Sequence, residues 1–213
     1  MSERAAITGY PVNLRVDGRR CVVVGAGRIA ARKIDALLAA GAHVCVVAPD
    51  VGAEVSAWAA AGRLELVDRK FEPGDLDGAW LATTATGDTD VDHSVYVAGE
   101  ERGVWVNSAD DPDNCSFTLM SVVRRGDVVV TVGTGGRSPA LAAWLRSRLD
   151  REIGPEYATL LDVLAEAREE LRAAGRSTED ADWRQALDSG MLESIRAGRV
   201  EEAKETLRAC LWS

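Results

Sequence analysis

Residues 21–33 read CVVVGAGRIAARK: a β-branched run, a glycine turn and the start of a helix. The continuous apolar run is that of a strand covered on both faces. Gly25, Gly27 and Ala30 space the turn as G-x-G-x-x-A. In that context the first glycine permits the tight turn, the second lets backbone approach a pyrophosphate, and the small third residue allows close helix–strand packing. The pyrophosphate would sit at the positive end of the helix. The plainer alternative is a strand–helix turn that binds nothing.

The helix that follows, RIAARKIDALLAAGA, carries Ile29, Ala30, Ile34, Leu37 and Leu38 on one stripe, interrupted only by Lys33. Gly41 suits its C-terminal end. Upstream, PVNLRV alternates apolar and polar positions before a turn signal at Asp17-Gly18. Downstream, HVCVV, LELV, AWLATTA (79–85) and VWVNSA (104–109) read as strands. VGAEVSAWAAAG and DVDHSVYVAGEERG read as the helices between them. Alternating strands and helices predict an α/β fold, a Rossmann-type doubly wound parallel sheet.

After residue 115 the rhythm changes. FTLMSVVRRGDVVVTVG predicts two extended runs around Gly126-Asp127, and SPALAAWLRSRLDREIG a helix with Ser138 as N-cap and Pro139 at its first position. Residues 155–213 read as helical throughout. The expected organisation is a cofactor domain over 1–113, a small β–α segment over 114–150 and an α-helical C-terminal domain over 151–213.

Composition narrows the function classes. With 46% hydrophobic and 28% charged residues the chain is ordinary for a globular protein. The net charge of −9 argues against non-specific nucleic-acid binding. No apolar run approaches the roughly 20 residues of a membrane span, and MSERAAITGYPV lacks a signal-peptide layout. A soluble cytoplasmic protein is expected. Cys21, Cys45, Cys115 and Cys210 form no C-x-x-C pair, so neither structural zinc nor a disulfide framework is expected. His43 and His93 read as structural residues rather than metal ligands.

In a doubly wound sheet, ligands lie beyond the carboxyl ends of the strands. Thr83–Thr86, with Thr84 and Thr86, and Asn107–Asp110 should border the nicotinamide end of the cofactor. An acid is expected about 20 residues beyond the glycine turn to hold the ribose hydroxyls. The first one is Asp50, several residues late and behind Pro49, and no Arg or Lys follows until Arg63. NAD is therefore favoured over NADP. Thr134, Gly135, Gly136, Arg137 and Ser138 make a glycine-rich loop at a helix start, with Arg124, Arg125, Arg146 and Arg148 around it in sequence. That loop reads either as an anion nest for a carboxylate-rich substrate or as a flexible turn with a solvated helix face. VNSADDPDNCSF (106–117) fits a turn, a metal loop or a catalytic carboxylate.

The ordered set YPVNLRVDGRRCVVVGAGRIAARK, VVAPD, VNSADDPDNCSF and GTGGRSPALAAWLR resembles the precorrin-2 dehydrogenase/sirohydrochlorin ferrochelatase family, from about residue 10 to 150. The resemblance implies a stand-alone form of the N-terminal module of sirohaem synthase. It implies NAD-dependent oxidation of precorrin-2 to sirohydrochlorin, with Fe²⁺ or Co²⁺ chelation as a second activity. It places Arg28 and Ile29 on the NAD-contacting turn and Pro49 and Asp50 at the ribose end. It makes Asp110 the carboxylate for dehydrogenation and chelation, with no preformed metal cage. Thr134 matches a serine that can be phosphorylated in the bifunctional enzyme, and homodimers are implied. Two rival readings remain: an NAD(H)-sensing module that does no chemistry, and a hydroxy-acid dehydrogenase, for which no His or Lys acid/base stands out.

Overall fold

The computed structural model describes residues 9–109 and 111–212. The chain forms two compact units that divide between Leu119 and Met120.

The first unit is built on five strands: β1 (Arg20–Ala26), β2 (His43–Val51), β3 (Glu65–Val67), β4 (Leu81–Thr84) and β5 (Trp105–Ser108). They lie in the order β3-β2-β1-β4-β5, and every pair is parallel. Three helices connect them: α1 (Arg28–Ala39), α2 (Ala53–Ala60) and α3 (Thr89–Arg102). Residue alternation along β1 explains the two-sided core. Cys21 and Val23 face α1 and α2, packing with Ile34 and Val55, while Val22 and Val24 face α3 through Val95 and Ala98. The Rossmann-type sheet is thus as expected.

Two details depart from the local reading. PVNLRV does not become a strand, although Val16 and the half-buried Leu14 pack on the core. Both edges of β1 are taken by β2 and β4, and among the described residues the segment pairs with no strand of the sheet. In addition, β2 runs further than HVCVV, through to Val51. Val24 pairs with Val47 but Ala26 pairs with Val51, so β2 spends four steps where β1 spends two. That irregularity carries Asp50 to the strand tip and accounts for its late place in the sequence.

The second unit contains the antiparallel hairpin β6 (Ser121–Arg125) and β7 (Val128–Val132), then α4 (Pro139–Glu152) and α5 (Glu156–Ala173). Three shorter helices follow: α6 (Trp183–Leu187), α7 (Met191–Arg196) and α8 (Val200–Trp212). Ser138 caps α4 through its hydroxyl, which accepts from Leu141 N–H. Leu160, Leu171, Met191 and Leu207 are the centre of its helical core. Among the described residues no helix is long and apolar enough to cross a membrane.

Candidate dinucleotide site

A cleft of about 410 Å³ opens at the carboxyl ends of β1, β2 and β4. Gly25, Gly27, Pro49, Asp50 and Thr86 line it, all residues singled out from the sequence. The two glycines serve different ends. Gly25 has φ +103, and a Cβ there would stand 2.6 Å from the carbonyl oxygen of Ala85. The turn therefore needs glycine for the protein's own packing. A Cβ on Gly27 would meet nothing within 4 Å, so its absence leaves open space over the start of α1. Gly27 is the N-cap of α1, which has no side-chain cap and no acid in its first turn. Its unpaired first-turn amides and positive end suit a pyrophosphate in that space.

The β4–α3 loop forms another wall. The carboxylate of Asp92, 5% exposed, accepts hydrogen bonds from the hydroxyl of Thr84 and, at 2.6 Å, from that of Thr86. Thr84 itself is fully buried, so it holds the loop while Thr86 meets the cleft. Asp92 was hidden in sequence among the charged residues of α3. Two more residues that local reading misses are Lys70 and Phe71, which line the cleft from beyond β3. Lys70 brings a cation to a cleft whose β2 side carries Asp50.

Arg28, Ile29, Thr84 and Asn107 are not on the cleft wall. Ile29 is 48% exposed, on the rim of the stripe rather than in the core. Asn107 is buried at the end of β5, with its amide engaged by Lys33 and by the Phe117 carbonyl. Its neighbour Ser108 holds the one buried side-chain oxygen among the described residues that has no hydrogen-bond partner. Asp110, the expected catalytic carboxylate, lies outside the described residues.

The acidic turn resolves into parts on either side of it. Asp111 accepts from Asn114 Nδ2 at 2.7 Å, and Asn114 Oδ1 meets His93 Nδ1 at 2.8 Å, tying the turn to α3. Cys115 then forms an antiparallel bridge to Asn107. Its thiol is pushed up by burial, an effect opposed by the Ser108 N–H and by the charge of Lys33. His93 is thus a structural tie. Among the described residues no group of three or more His, Cys, Asp or Glu is placed to hold a metal ion.

In the second unit, Gly135 and Gly136 both have positive φ, at +58 and +72. The Thr134 hydroxyl donates to the Ser138 carbonyl at 3.0 Å and closes the loop on itself. Of the nearby arginines, Arg125 is bound to Asp150 at 2.9 Å and Arg148 to Glu152 at 3.2 Å. Arg124, Arg137 and Arg146 make no ion pair with the described residues.

Comparison with known proteins accords with this geometry. A family described as "Putative NAD(P)-binding" matches residues 12–121. A siroheme synthase of Nitrosococcus oceani is 36% identical over 203 residues, covering 94% of this chain and 43% of that protein. A siroheme synthase of Thioalkalivibrio sulfidiphilus is 36% identical over 204 residues, covering 95% of this chain and 42% of that one. The chain thus spans less than half the length of these relatives. The solved structure titled "SirC, precorrin-2 dehydrogenase" superposes with a TM-score of 0.76 at 27% identity, covering 94% of this chain and 100% of that one. With the glycine turn, its cleft and a matching fold along nearly all its length, the chain belongs to the NAD(P)-binding family of precorrin-2 dehydrogenases and siroheme synthases.

Proposed function

We propose that this chain oxidises precorrin-2 to sirohydrochlorin with NAD, a step of sirohaem biosynthesis. The observation that carries the proposal is the cleft over Gly25 and Gly27 at the carboxyl ends of the strands, in a chain whose fold follows that of a precorrin-2 dehydrogenase. In the oxidation the macrocycle loses one hydride and one proton. Bound NAD supplies the hydride acceptor. The protein supplies orientation and a base. Gly27 would admit the pyrophosphate to the first-turn amides of α1, Asp50 would accept from ribose hydroxyls, and Thr86 would border the nicotinamide end. Asp110 accepts the proton as the hydride leaves, a contribution typically of about 10²–10⁴-fold.

The division into a cofactor domain (1–113), a dimerisation and substrate segment (114–150) and a helical domain (151–213) is part of this reading. The loop Thr134–Ser138, with Arg137, takes substrate carboxylates. The exposed Val122, Val129, Leu141 and Trp144 support a homodimer built on the middle segment. Insertion of Fe²⁺ is a second step in which Asp110 takes pyrrole N–H protons while the macrocycle supplies the nitrogens.

The test is to compare wild type with Asp110→Asn, anaerobically, on precorrin-2 with NAD and then on sirohydrochlorin with Fe²⁺. Asp110→Asn should bind NAD normally yet lose both conversions. Near-normal oxidation by that variant would remove Asp110 from the mechanism. Oxidation without metal insertion by the wild type would leave a dehydrogenase alone. Tight NAD binding with untouched precorrin-2 would favour the NAD(H)-sensing reading.

A further inference from the structure

We propose that Lys33, the residue that breaks the apolar stripe of α1, is a positioning residue for the acidic turn leaving β5. The role rests on the dehydrogenase reading of the site. Lys33 Nζ donates to Asn107 Oδ1 at 2.8 Å, joining groups 74 positions apart in the chain. Asn107 passes that restraint on. Its Nδ2 donates to the Phe117 carbonyl at 3.0 Å, and its own carbonyl accepts from Thr83 Oγ1 at 3.0 Å. Ser108 N–H donates to Cys115 Sγ at 3.2 Å, and Ser116 N–H to the Val106 carbonyl at 2.7 Å. Residues 106–108 and 115–117 are therefore pinned to one another, and the turn between them springs from that knot.

A lysine is a costly way to make such a link. An aliphatic side chain at position 33 would cover the same stripe without desolvating an ammonium. The charge brings a stronger hydrogen bond than a neutral donor can make. Through space it also acts on the Cys115 thiol, where it opposes the effect of burial. Lys33 does not line the dinucleotide cleft. Its influence is therefore expected on the chemical step and not on cofactor affinity.

The experiment uses Lys33→Met and Lys33→Arg in the full chain. Hydrogen exchange of the peptide spanning 107–117 should quicken in Lys33→Met and return toward wild type in Lys33→Arg. NAD affinity should stay unchanged in both. For precorrin-2 oxidation, kcat of Lys33→Met should fall on the order of 10- to 100-fold with KM unaltered, as for a reacting group displaced by about 1 Å. Wild-type exchange and kcat in Lys33→Met would overturn the proposal. So would exchange that rises equally in α1 and β1, because Lys33 would then be a general stabiliser. If the wild type itself leaves precorrin-2 untouched, the dehydrogenase reading falls, and exchange in 107–117 alone decides the positioning role.

Discussion

Replacing the two glycines of the turn one at a time should separate folding from binding. Gly25 has φ +103, and a Cβ there would lie 2.6 Å from Ala85 O and 3.0 Å from Ala85 C. The left-handed side of φ costs an L-residue about 1–2 kcal/mol, and overlap with backbone adds about 1–3 kcal/mol. Gly25→Ala should therefore destabilise the first unit by about 2–5 kcal/mol. Gly27 is different, with φ −80, ψ −173 and open space around its missing Cβ. Alanine there gains about 0.4–1 kcal/mol through the unfolded chain and loses a similar amount of N-cap preference. Stability should stay within about 1 kcal/mol of wild type. The new methyl nevertheless fills the space over the first-turn amides. Losing one hydrogen bond to a charged group, about 1.5–3 kcal/mol, weakens NAD binding by roughly 10- to 150-fold. Urea unfolding by circular dichroism and calorimetric NAD titration read the two effects separately. Wild-type NAD affinity in Gly27→Ala would mean that the open space over α1 takes no pyrophosphate, and wild-type stability in Gly25→Ala that the turn has no need of glycine.

Asp92→Ala should free the Thr84 and Thr86 hydroxyls, costing about 1–3 kcal/mol of stability and weakening NAD binding through the loosened loop. Asp92→Asn, which keeps an acceptor, should recover much of both in the same titration and unfolding measurements. At high pH, Cys21 should matter, since burial pushes its thiol up to about 11 from an ordinary 9.0. The raised value means that the neutral thiol favours the fold. Its contribution is complete below the unfolded value and is lost as pH rises through the folded one, up to about 2.7 kcal/mol. Cys45 shifts in the same direction, also through burial. Urea midpoints across the alkaline range should fall less steeply in Cys21→Ala than in wild type.

The sheet and the glycine turn were legible because their determinants are local. β1 is a continuous apolar run, and G-x-G-x-x-A needs only six consecutive residues. What was not legible depends on pairing across the chain. Asp50 looks misplaced by counting, and only the extra steps of β2 against β1 bring it to the cleft. Lys33 looks like a flaw in an amphipathic stripe until β5 brings Asn107 to it. Asp92 sits in a helix whose letters read as solvated, yet its carboxylate is buried where Thr84, at the end of β4, and Thr86, just beyond it, offer hydroxyls. Lys70 reaches the cofactor wall from a loop after a strand of three residues, too short to fix a direction from sequence.

The most direct test follows NADH formation and the macrocycle spectrum together, in anaerobic mixtures of the full chain, precorrin-2 and NAD. One NADH should form for each sirohydrochlorin, with none of either in the absence of NAD and sharply less of both in Gly27→Ala. Precorrin-2 that stays unoxidised while the protein is saturated with NAD would rule out the dehydrogenase function.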